Sequence, residues 1–219
     1  MTIRAKLYAA IVLTILGPLA TTAVALHGMG EMGDRFDEVQ DRARQQSVAL
    51  ELKFAVTDMN GWQTAYGYDN GASRPTFERS VETLRRDLRR AEVTLTDPRE
   101  RELLRDLQRE FAGFMALDVV AYRALRQGRE QRVRDIFLGP EIQRFTAMAE
   151  TADRLAAYAG RQAAATRQAF DEARDDARKR LIAVALGAGV VIVLLLITAS
   201  DVARLALEGE RHVRSRSDD

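Results

Sequence analysis

Residues 181–200, LIAVALGAGVVIVLLLITAS, are twenty consecutive positions without a charge, introduced by Arg178, Lys179 and Arg180. As a helix, an uncharged apolar run of ~20 residues matches the hydrocarbon thickness of a bilayer. A soluble helix of that length normally keeps a polar face, and this one has none. A second uncharged run, residues 7–26, stands behind Arg4 and Lys6. The two runs predict membrane helices at both ends of a polar middle. The expected layout is a cytoplasmic N-terminus at 1–6, a first membrane helix at 7–26 and an extracytoplasmic helical domain at 27–180. A second membrane helix at 181–200 and a short cytoplasmic tail at 201–219 complete it.

The first run has two readings. Arg4 and Lys6 before an apolar segment place the N-terminus in the cytoplasm. The same features describe a secretory signal peptide, and Ala23-Val24-Ala25 has the form of a cleavage site. Signal cores usually span about 7–15 residues, so the length favours an uncleaved anchor. Both readings export the middle. The cluster at 178–180 opposes the simple charge rule, although long translocated domains cross largely regardless of charge.

Between the runs the pattern is helical. Met32, Phe36, Val39, Ala43, Leu50, Phe54, Thr57, Gly61 and Thr64 recur at three- and four-residue spacing, which predicts the inner stripe of a first helix. Asp69-Asn70-Gly71 and Pro75 break it. Phe77, Val81, Leu84, Leu88, Ala91 and Leu95 mark a second helix, whose outer face offers a Glu82–Arg86 pair. Asp97-Pro98-Arg99-Glu100 predicts a capped start to a third, with Glu100 reaching back to the cap. Its stripe runs through Leu103, Leu107, Phe111, Phe114 and Tyr122. Asp118 falls on the same stripe, where a carboxylate needs a partner. Gly128 is expected to loosen this helix, and Gly139-Pro140 to end the next turns. A fourth helix follows from Ile142 through Phe145, Ala149, Ala152, Leu155, Ala159 and Phe170, with no breaker before Leu181. Asp175–Lys179 and Asp176–Arg180 support the junction. The predicted fold is all-α: an antiparallel up-down-up-down four-helix bundle flanked by two transmembrane helices.

The composition removes several chemistries. There is no cysteine, only two histidines (His27 and His212), and a formal net charge of +1. Disulfides, thiolate metal sites and cysteine nucleophiles are thereby excluded, and nothing points to nucleic acid. No P-loop, glycine fingerprint, HExxH or Glu-x-x-His set occurs. We therefore expect no catalytic, cofactor-binding or metal residues and no enzyme activity. The acids and arginines are read as solvated helix faces.

The stretch from Asp58 to Asp69, DMNGWQTAYGYD, stands apart because it carries the only tryptophan and two of five tyrosines. At helical spacing Asp58, Trp62 and Tyr66 share a face, flanked by Asn60 and Gln63. These five residues are the candidate ligand or dimer-interface set. Aromatic rings with polar tips beside amides can enclose a small polar solute, fill a core, or form a subunit seam.

At these residues the chain resembles a known family. Two membrane helices around a helical middle, the D-x-N-G-W-Q-x-A-Y string at Asp58 to Tyr66, and Leu125-Arg126-Gln127-Gly128-Arg129-Glu130 are similar to the sensor half of methyl-accepting chemotaxis receptors. The resemblance covers about residues 1–200. It implies a homodimeric sensor in the bacterial inner membrane, binding a small solute outside and shifting its last helix to signal inward. Family receptors continue into a HAMP linker and a long cytoplasmic coiled coil, which nineteen residues cannot form. The expectation is a stand-alone module working through another receptor or a cytoplasmic signalling protein, a truncated receptor, or a receptor remnant. The alternative is a membrane-anchored structural adaptor without a small ligand.

Overall fold

The structure is a computed structural model describing residues 3–215; of residues 3–7, 9–11, 13, 194, 198 and 201–215 it describes the backbone alone. Of the segments predicted at 1–6 and 201–219, residues 1–2 and 216–219 lie outside the described residues. All described elements are helical: α1 (Ile3–Tyr68), α2 (Arg74–Thr94), α3 (Pro98–Arg126), α4 (Glu130–Ile136), one π-helical turn (Phe137–Glu141) and α5 (Ile142–Ser215). The chain divides into two compact units, one of residues 37–168 and the other of residues 1–36 with 169–219.

In the unit of residues 37–168, α1, α2, α3 and α5 share one core. α2 contributes Phe77, Val81, Leu84, Leu88 and Ala91, and α3 contributes Leu103, Leu107, Phe111 and Phe114, on the predicted stripes. Met148, Ala152, Leu155 and Ala159 come from α5. The stripe predicted for α1 is overturned. Its buried face is Gln45, Val48, Ala49, Leu52, Ala55, Val56, Met59, Gln63 and Tyr66. The predicted inner residues Leu50, Phe54, Thr57, Gly61 and Thr64 are exposed, Phe54 by 67%. Both sets have helical spacing. The alanines on the inner set let neighbouring helices approach closely, and its leucine, valine and methionine fill the space between them.

The turns follow from local chemistry. α1 stops at Asn70 (φ 55°) and Gly71 (φ 94°), left-handed positions suited to those two residue types. Asp97 accepts from the amides of Arg99 (2.8 Å) and Glu100 (3.3 Å), with Pro98 opening α3. Glu100 does not return the bond: its carboxylate is buried and neither oxygen has a hydrogen-bond partner. Burial, then the neighbouring Asp97, pushes its pKa up. Gly128 does not loosen α3 but ends it. At φ 66° its amide donates to Leu125 O (2.9 Å), and Arg129 donates to Ala124 O (3.0 Å), a Schellman closure.

Gly139-Pro140 ends the turns of α4, as expected, at a kink between α4 and α5. Proline lacks an amide hydrogen, and its ring crowds the carbonyl four residues back. The backbone kinks at Gly139, whose φ −108°, ψ −107° are non-helical, within the turn Phe137–Glu141, and α5 proceeds from Ile142. Two surface pairings also differ from expectation. Glu82 pairs with Arg85 (3.6 Å) and Arg89 (3.5 Å), and Lys179 with Asp176 (3.2 Å).

In the other unit, Phe36 and Phe170 pack at 6.2 Å between ring centroids. Pro18 lies inside α1, and the Thr21 hydroxyl donates to Pro18 O at 2.8 Å. Among the described residues, one helix is long and apolar enough to cross a membrane, that carrying residues 181–197. Its most apolar window averages 2.7 in hydropathy, and none of that window is buried within the protein. Leu181, Ile182, Leu186, Val190, Ile192, Val193, Leu196 and Ile197 are all exposed.

Candidate functional site

The five residues singled out in the sequence separate into three environments. Asp58 and Trp62 are exposed and pair with each other, the indole N–H donating to the carboxylate at 3.2 Å. Asn60 and Gln63 line a cavity. Tyr66 is buried in the core. The three-residue face predicted for Asp58, Trp62 and Tyr66 therefore does not form one site: as α1 winds, the eight-residue span from Asp58 to Tyr66 turns the last ring inward.

Tyr66 begins a buried polar network. Its hydroxyl donates to Asp118, the carboxylate that the α3 stripe required to have a partner. Arg74, at the start of α2, supplies the charge: one terminal nitrogen lies 2.9 Å and 2.8 Å from the two Asp118 oxygens. Its guanidinium stacks over Tyr122 (4.3 Å), Phe77 (4.7 Å) and Tyr66 (5.0 Å), and also holds Glu78 at 3.1 Å. An arginine sandwiched by rings retains its charge while shedding water. Burial raises the pKa of Asp118, opposed by the Tyr66 hydrogen bond and the Arg74 charge. The Tyr66 hydroxyl is driven far up, by burial and then by Asp118.

Beside this network lies Glu141, the last residue of the π turn and 1% exposed. The Gln63 side-chain amide donates to one of its oxygens, while the other has no hydrogen-bond partner. Burial, then the charge of Asp118, pushes its pKa up to about 8. Nothing in the sequence marked Glu141, since it sits in a stretch read as a helix end. Arg74 was equally hidden, although the need of Asp118 for a cation was legible.

Glu141 lines a cavity of about 760 Å³ formed by α1, the turn after it, the end of α3, α4 and the π turn. Asn60, Gln63, Thr64 and Asn70 supply polar groups, and Leu125, Val133, Phe137, Leu138 and Ile142 supply apolar ones. Glu130 and Arg134, both exposed, bring charge. The volume and mixed lining are those of a small-molecule site. Gly67 packs against Phe137 so closely that an added methyl would overlap the ring, so α1 and the π turn meet with no room to spare. Among the described residues no cluster of His, Asp or Glu could hold a metal ion.

No family model matches the chain. Comparison with curated proteins and with solved structures likewise found no match.

Proposed function

We propose that the chain is a membrane-anchored sensor, resembling a chemoreceptor sensor half, whose ligand site is the cavity bounded by Gln63 and Glu141. The single observation carrying this reading is that cavity, of about 760 Å³, with a buried carboxylate oxygen left without a partner in its wall. The helices of residues 37–168 form an up-down-up-down bundle held outside the cell by two membrane helices, 7–26 and 181–200. The exposed apolar side chains of both runs support lipid as their surroundings. The cavity wall ends where α5 begins, and α5 also carries the run at 181–200. Binding that alters the π turn is thus transmitted along one helix to a signalling partner. The exposed α1 stripe of Leu50, Phe54, Thr57 and Gly61 is the seam of a homodimer.

A thermal-shift screen of the full-length chain in detergent tests the reading, using amino acids, organic acids, amines and sugars. Saturation at about a hundred times Kd stabilises by about 2.7 kcal/mol, or roughly 5–10 °C in Tm. The hit should disappear in Thr64→Trp, which fills the cavity from an exposed wall position. Silence across the screen would leave the structural adaptor as the better account.

A further inference from the structure

We propose that the ligand of this cavity is an organic monocation, a primary amine on an apolar body, whose ammonium pairs with the Glu141 carboxylate. The proposal rests on the cavity being the ligand site and adds the chemistry it selects.

The donors around Glu141 are already engaged. Arg74, from α2, is held by both oxygens of Asp118 and by Glu78, beneath three aromatic rings. Tyr66, from α1, gives its hydroxyl proton to Asp118. Gln63 gives one amide hydrogen to Glu141 and leaves the second carboxylate oxygen unserved. Asp118 and Glu141 together carry two carboxylates against the single guanidinium of Arg74, so the cluster lacks one positive charge when both acids are ionised. The remaining charged groups in the cavity wall, Glu130 and Arg134 from α4, are exposed and offset each other.

An ammonium group supplies to this buried carboxylate both missing elements, a hydrogen-bond donor and a unit charge. A neutral solute supplies only the donor; an anion supplies no positive charge, and once Glu141 is ionised it meets like charge there. The apolar walls, Val133, Phe137 and Ile142 among them, suit the hydrocarbon part of such a molecule.

The test is titration calorimetry on the full-length chain in detergent with three matched probes: 2-phenylethylammonium, 2-phenylethanol and 3-phenylpropanoate. The ammonium probe should bind at least tenfold more tightly than either of the others. Glu141→Gln, isosteric and neutral, should lose at least tenfold for the ammonium probe while its unaltered Tm shows the fold intact. An empty Glu141 holds its proton below about pH 8, and pairing expels it. Affinity should therefore rise about tenfold per pH unit from pH 6 toward 8 and then level off. Equal binding of the alcohol, a pH-independent affinity, or a loss that follows Glu130→Gln instead of Glu141→Gln would overturn the proposal. Binding of 3-phenylpropanoate alone, abolished by Thr64→Trp, would overturn the amine while leaving the sensor reading intact. No binding by any probe, together with a silent solute screen, would remove both.

Discussion

Arg74 shows how a single side chain can hold an end of the helical core together. It neutralises Asp118 at 2.8 Å and covers three aromatic rings, so removing it strands a buried carboxylate. Arg74→Met should cost about 3–5 kcal/mol, the usual consequence of breaking a buried pair from one side. Arg74→Met combined with Asp118→Asn should recover part of that loss, because the acid no longer needs a countercharge. Thermal unfolding of the two variants in the same detergent checks the order; a double variant less stable than the single one would contradict it. Asp118 was legible as a carboxylate on an apolar stripe in need of a cation. The identity of that cation was not, because Arg74 is brought to it by the turn between α1 and α2, and nothing local distinguishes it from the solvated arginines along α2.

At the level of elements, helix capping was partly legible and helix facing was not. Asp97 and Pro98 start α3 as their chemistry dictates, whereas the glycine at 128 closes α3 through a backbone conformation that sequence alone does not display. Gly128→Ala meets no neighbour within 4 Å, so its cost is conformational only. We expect a loss of about 1–2 kcal/mol from placing an L side chain at φ 66°, and a smaller loss for Gly128→Asn. Equal Tm values for the wild type and the alanine variant would show that the turn does not hold this geometry. α1 was misread because it carries two stripes of helical spacing, and periodicity alone cannot say which one the other helices cover. The bulky aromatics Phe36 and Phe54 drew the prediction to one stripe, while the alanines that permit close packing mark the other.

For the whole molecule, the all-helical character and the apolar run at 181–200 were the most legible features, since both follow from patterns longer than any local ambiguity. The cavity beside Glu141 was the least legible, because it arises where a turn broken at Gly139-Pro140, a glycine contact and two loops meet. The absence of cysteine makes the proposed topology and assembly directly measurable. Val93→Cys, at an exposed position on α2, should react with a membrane-impermeant maleimide in intact spheroplasts. Labelling only after lysis would reverse the orientation. Phe54→Cys should form a disulfide-linked dimer under mild oxidation, whereas Val93→Cys should not. Monomer alone at Phe54 would remove the proposed seam.

Between Phe137 and Glu141 the helical path is broken at Gly139, whose φ −108°, ψ −107° belong to no helix. At about 1.5 Å per residue, residues 142–168 of α5 extend roughly 39 Å beyond that break, so a change of about 5° in its angle would move their far end by roughly 3 Å. A break in front of a long rod is a pivot.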